Sequence, residues 1–304
     1  MEALLKSTTA YKILEGDRRS GKLSHAYMLR FNDPKNLRAA LKLFALEFYG
    51  ERPDGAVGAR ILNESYSDFT MYPADGKKIT ADGVSEIIED SALRPVEGSK
   101  KLFVFCGFDT ASALIQNKLL KTLEEPLDGV HFLLGVCSLA PVLDTVRSRV
   151  KLLEVPPFSE AEIFAALQRK GQNPLNAAAA KSANGILGAA ENMVGGGWFG
   201  EISAAAEEIC SANNIGAIGA LAVKYGETKY KSELLSEMQR LYFTALTEGG
   251  ALSRVWCKPT LIFALEKINS ANADVKFNAF FQGLLYDFML EVVKENEKWL
   301  KLQA

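Results

Sequence analysis

The octet Gly16-Asp17-Arg18-Arg19-Ser20-Gly21-Lys22-Leu23 comes close to the pattern that cradles a nucleotide phosphate, two glycines flanking four residues and then Lys followed by Ser or Thr. Such a loop must follow a strand and open a helix, so that backbone N–H groups and the helix dipole face the phosphates. This segment precedes the first predicted strand, and Leu23 stands where a hydroxyl would hold magnesium. It therefore reads as an exposed turn with scattered charge. Glu124 and Glu125 are adjacent carboxylates, but neighbours on a helix point about a hundred degrees apart and do not form an acid/base pair. Cys106, Cys137, Cys210 and Cys257 are widely spaced with no Cys-x-x-Cys pair, and His25 and His131 are the only histidines. These residues read as buried thiols in a reducing compartment, and neither a metal centre nor a bound cofactor is expected.

The elements that would position any chemistry follow from the pattern of the chain. Short β-type runs at 26–30, 69–72, 102–106, 132–136 and 150–155 alternate with helix-like stretches at 35–48, 81–93 and 112–125. This is the pattern of an α/β domain with a mainly parallel sheet. In the third helix Ile115, Leu119 and Leu123 recur every four residues, and Pro126 ends it. After Pro156-Pro157 the β signal disappears, so a domain boundary is expected at 157. Ser159 with Glu162 predicts a capping box that opens a small helical unit, 158–196, closed by Gly195-Gly196-Gly197. Residues 197–304 read as helical, with Tyr230, Leu234, Met238, Leu241 and Tyr242 on one face and Phe277, Phe280, Phe281, Leu284, Leu285 and Phe288 on another.

Composition narrows the class. The 304 residues are 48% hydrophobic, with 35 basic and 37 acidic side chains interspersed for a net charge of −2. That balance gives no overall field for DNA or an anionic membrane, so any DNA contact would be local or shared with partners. The first thirty residues lack a continuous apolar core and no later run reaches spanning length, so a cytoplasmic protein with no membrane partner is expected.

Two segments carry a more specific signal. Asn117-Lys118-Leu119-Leu120-Lys121-Thr122-Leu123-Glu124-Glu125-Pro126, then Phe132-Leu133-Leu134 and Thr145-Val146-Arg147-Ser148-Arg149, resemble the signature of the bacterial DNA polymerase III clamp-loader family, AAA+ proteins that include the gamma/tau and delta prime subunits. Ser24-His25-Ala26-Tyr27 resembles the same family's lead into its first strand. The resemblance covers roughly residues 1–190. It implies an AAA+ P-loop-type α/β domain, a small helical lid and an all-helical collar through which subunits oligomerise.

The resemblance also says where an ATP site would lie. The phosphate loop would fall within Arg30-Phe31-Asn32-Asp33-Pro34-Lys35-Asn36-Leu37-Arg38, which has no glycine. Leu37 stands in the place of the phosphate-binding lysine, Lys35 is out of register, and Pro34 removes an N–H. Cys106 and Gly107 occupy the positions of the acidic pair that organises magnesium and water, with Asp109 read as a helix cap. Val136 and Cys137 fall where a polar phosphate sensor is expected, and Gly188 where the lid would supply an arginine. Four elements of one site are missing together, a pattern that resembles the delta prime branch rather than the gamma/tau ATPases. No cysteine cluster lies in residues 50–80, so no zinc module is expected.

Of the residues that remain, Arg149 matches the position from which the family presents an arginine across a subunit boundary to the neighbour's ATP, with Ser148 beside it and Val150 departing from the Ser-Arg-Cys pattern. A planar, permanently charged fork suits the charge that spreads over a transferring phosphoryl group. On the residues alone, Arg149 reads instead as a surface arginine at a strand start, paired with Asp144 or Glu154, and Arg147 is one step away. Asn117, Lys121, Thr122, Glu124 and Glu125 form the polar side of the signature helix, which the resemblance places near a subunit interface; a solvated face explains them equally. The implied partners are gamma/tau and delta subunits, with the sliding clamp and primed DNA met through the assembled complex. The rival expectations are a divergent gamma/tau-like ATPase and a DNA-binding or regulatory adaptor on the same shell.

Overall fold

A computed structural model describes residues 1–74, 77–276 and 280–303; Phe277 lies outside the described residues. The strands β1 (Ala26–Phe31), β2 (Phe69–Tyr72), β3 (Lys101–Cys106), β4 (Val130–Val136) and β5 (Lys151–Val155) form one parallel sheet in the order β2-β3-β4-β1-β5. The near-continuous burial of β1, β3 and β4 suits strands covered on both faces, while the edge strands β2 and β5 are buried less continuously. On one face Met28, Phe103, Phe105, Phe132 and Leu134 pack with Val84, Ile87, Leu119, Leu123 and Val146 from the helices Ala81–Ser91, Ala113–Glu124 and Asp144–Arg147. The helices Leu37–Tyr49 and Thr9–Arg19 pack together, the first against β3 and β4 and the second against β5.

The Gly16–Leu23 octet is not a phosphate loop. Its first half belongs to the helix Thr9–Arg19, where Arg18 bonds Glu47 at 2.9 Å. Asp17 receives the Tyr27 hydroxyl at 2.8 Å and the Lys151 ammonium at 2.6 Å. The charges of the octet therefore tie this helix to its neighbours. Ser159 and Glu162 form the capping box, with Oγ accepting from the Glu162 N–H at 3.3 Å and the carboxylate accepting from the Ser159 N–H at 2.9 Å. The helices Glu160–Lys170, Asn176–Ser182 and Leu187–Gly195 follow.

The chain divides into two compact units, Met1–Asn192 and Met193–Ala304. The second is all-helical among the described residues. Leu234, Met238 and Tyr242 are buried with Phe281, Leu285 and Phe288, and Tyr230, Leu241 and Leu284 pack against them. Phe280 departs from the expected aromatic face, being 74% exposed. Among the described residues no helix is long and apolar enough to cross a membrane.

Candidate functional site

Open parallel sheets bind ligands beyond the carboxyl ends of their strands, where the direction of chain crossover reverses. Here that point lies between β1 and β4, since the chain leaves β1 toward β2 and leaves β4 toward β5. A buried carboxylate of the protein lies there. Asp33, 1% exposed, follows β1. One of its oxygens accepts from the Gly188 N–H at 2.7 Å and from Asn36 Nδ2 at 2.8 Å; the other accepts from the Asn36 N–H at 3.2 Å. Leu37 is buried as the first residue of the next helix. Lys35 turns to Glu191 at 3.3 Å, and Lys170 reaches the same carboxylate at 2.5 Å. Burial alone would raise the Glu191 carboxyl, but Lys170 and Lys35 outweigh it and hold it below the usual range.

The other expected ATP-site positions are equally committed. Gly107 follows β3 with φ +74°, a left-handed conformation that favours glycine. Val136 is fully buried at the end of β4. Asp109 is not a helix cap: its carboxylate accepts from the Cys137 and Ser138 N–H groups at 3.2 and 3.0 Å, closing the end of β4, while Ser112 caps the helix Ala113–Glu124. The Cys137 thiol is pushed up to about 11, first by burial and then by nearby Asp109, Cys106 and Asp33, so it is no nucleophile at neutral pH. Gly188 was expected only as a missing arginine. Its backbone is the contact, and a Cβ there would come within 2.2 Å of Asp33 Oδ1.

Arg149 stands at the opposite, amino-terminal end of the strands, just ahead of β5. Its guanidinium pairs with neither Asp144 nor Glu154, which engage Arg147 and Arg30. Nε donates to Glu124 Oε1 at 2.7 Å, Nη2 pairs with the same carboxylate, and Nη1 donates to the Thr145 carbonyl at 2.7 Å and to Ser148 Oγ at 3.2 Å. The Arg149 side chain remains 32% exposed. It lines an open hollow of about 630 Å³ with Ser24, His25, Glu124, Ser148, Val150 and Lys151. Lys121, Thr122 and Glu125 line a different hollow, with Ile88, Pro126 and Leu127, and Asn117 is exposed. The expected interface residues are thus divided, and only Glu124 meets Arg149.

Three positioning residues, Gln116, Asp33 and Glu191, escaped the sequence reading. Gln116 is fully buried, donates to the Ala111 and Pro141 carbonyls at 2.9 and 3.0 Å, and accepts from the Leu143 N–H at 2.9 Å. It fixes the segment that leads into the helix Asp144–Arg147 and hence to Arg149. A polar residue in register with Leu119 and Leu123 was the available signal. Asp33 had a weaker one, a carboxylate three residues ahead of a helix, and Glu191 had none.

An all-parallel five-stranded sheet in this order, followed by helices, is an AAA+-type α/β domain with a helical C-terminal region. The profile of the family described as "DNA polymerase III, delta subunit" matches residues 6–159, and the chain belongs to that family. The chain is similar to DNA polymerase III subunit delta' of Haemophilus influenzae, 32% identical over 124 residues, or 40% of this chain and 38% of that protein. Similarity to subunit delta' of Bacillus subtilis is 31% over 161 residues, or 50% and 47% of the two chains. The matches thus span less than half the length of these curated relatives. Among solved structures, a DNA polymerase III gamma subunit-related protein of Thermotoga maritima aligns over 92% of this chain and 98% of its own, with 16% identity and a TM-score of 0.49.

Proposed function

We propose that this chain is a delta prime-type clamp-loader subunit that binds no ATP productively and supplies Arg149 in trans to the ATP site of a neighbouring gamma/tau subunit. Its work is structural, with no independent catalytic activity: it helps hold open the assembly that places a sliding clamp on primed DNA. The observation that carries this reading is the contrast between a crossover point closed by Asp33 and Gly188 and an arginine fork held at the surface by Glu124 and Thr145 beside an open hollow. To meet a phosphoryl oxygen this fork exchanges the partly exposed Glu124 carboxylate for it. The domains in this reading are 1–157, a lid at 158–196 and a collar at 197–304, with delta as a further partner and the cytoplasm as the site of action.

The test is equilibrium dialysis of labelled ATP against the isolated chain, joined to turnover of an assembly rebuilt with gamma/tau and delta. No saturable binding, with turnover that depends on Arg149, is the expected result. Tight binding by the isolated chain points instead to a divergent ATPase. Salt-sensitive DNA binding by the chain alone points to an adaptor.

A further inference from the structure

Helix amino ends attract anions, because their first N–H groups lack intrahelical partners and the dipole is positive there. Asp33 places one carboxylate on two such ends. It accepts from the N–H of Asn36, which precedes the helix Leu37–Tyr49, and from that of Gly188 in the first turn of the helix Leu187–Gly195. Gly188 lies 155 residues from Asp33 in the chain. The absence of a side chain at Gly188 is what lets the carboxylate approach, since a Cβ would also crowd Lys35 Cβ at 2.8 Å. A second clasp lies one turn along the same helix, where Glu191, with its side chain 7% exposed, receives Lys35 and Lys170. Residues 33–36 therefore grip the helix twice, once through a carboxylate on its backbone and once through an ammonium on its side chain. Pro34 restricts the loop between the two grips.

We infer that Asp33 is an internal ligand: it takes the place an external anion would occupy at the sheet's crossover point, and it latches the helix Leu187–Gly195 to the loop after β1 without nucleotide. The latch deepens the nucleotide-silent reading given above and rests on it for the statement that no ATP competes with Asp33. The same geometry implies that removing the carboxylate leaves a site for a small anion, lined by the N–H groups of Asn36 and Gly188.

Amide hydrogen exchange on the full chain tests this, comparing wild type with Asp33→Ala, Asp33→Asn and Lys35→Ala. Asp33→Ala is expected to speed exchange across 187–191 by at least about tenfold while β3 and the helix Lys258–Lys276 stay protected. Acetate or inorganic phosphate should restore protection in Asp33→Ala alone. Unchanged exchange at 187–191 in a folded Asp33→Ala protein overturns the latch, as does loss spread evenly over the chain. Should that variant not fold, Asp33→Asn and Lys35→Ala decide, because a local loss in both is required and protection retained in both refutes the inference. Labelled ATP bound by the wild-type chain would sink the nucleotide-silent reading, whatever the exchange shows about the latch.

Discussion

Asp33 follows the carboxyl end of β1 and Arg149 precedes the amino end of the adjacent strand β5, and their surroundings differ in burial and in partners. Asp33 is almost fully enclosed, and three N–H donors of its own chain converge on its carboxylate. Arg149 is about one-third exposed and braced by a carboxylate that is itself half exposed. The first corner leaves little for an outside molecule to gain, because its charge is already answered in a low-dielectric setting. The second holds its charge in a fixed direction by contacts that solvent weakens, and a stronger anion can outcompete them. Satisfied burial suits a group that holds the protein together, whereas in the proposed function the shallow bracing of Arg149 keeps it ready for a partner.

The largest expected effect on stability comes from Gln116, the buried link between the signature helix and the segment leading to Arg149. Gln116→Leu removes the partner of the buried Ala111 carbonyl and of the partly buried Leu143 N–H and Pro141 carbonyl, at roughly 1–3 kcal/mol for each group that water does not reach. Denaturant unfolding should show a loss of several kcal/mol; a loss under about 1 kcal/mol would mean water takes over these bonds. Next is Gly188→Ala. Its Cβ cannot coexist with Asp33 in the present geometry, and overpacking of this kind costs about 1–3 kcal/mol. Alanine tolerated at no cost would show that the corner is looser than described.

A smaller effect follows from Glu191, whose carboxyl is held low by Lys170 and Lys35 against the opposing effect of burial. A carboxyl lowered on folding stabilises above its unfolded value and loses that contribution as pH falls through the ordinary 4.5 toward its folded value. Stability should therefore decline from about pH 5 downward, and less steeply in Lys170→Ala; parallel curves would remove Glu191 from the clasp. The smallest change in stability is expected at Glu124. Glu124→Gln breaks a partly exposed pair worth about 0–1 kcal/mol. In a rebuilt assembly it should nevertheless shift turnover by freeing the Arg149 fork, and unchanged turnover would mean that Thr145 and Ser148 suffice to aim it.

The same contrast explains what could be read from the chain. The five strands and the Ser159/Glu162 cap were legible because apolar runs and capping boxes are local patterns. Rejection of the Gly16–Leu23 octet was legible because it depends only on order along the chain. The Asp33–Gly188 contact was not, since nothing in either segment names a partner 155 residues away. Arg149 was located by the family signature, yet its partner Glu124 was expected at a subunit interface, while Asp144 and Glu154 were the expected ion-pair partners. A charge pattern gives the sign of a partner, and only the fold gives its identity. Asp109 shows the same limit: it was read as a cap for the helix that follows it, and it instead closes the end of β4.

The most direct test of the contrast is primed-DNA-stimulated ATP turnover of an assembly rebuilt with gamma/tau and delta, comparing wild type with Arg149→Ala and Arg149→Lys after assembly has been verified by size. At the one site it serves, an arginine supplied in trans accounts for about 10³-fold or more in kcat, and lysine lacks the planar fork that meets the phosphoryl oxygens. The account predicts that both variants assemble and that turnover at that site is lost in both. Full turnover in an intact Arg149→Ala assembly would contradict it.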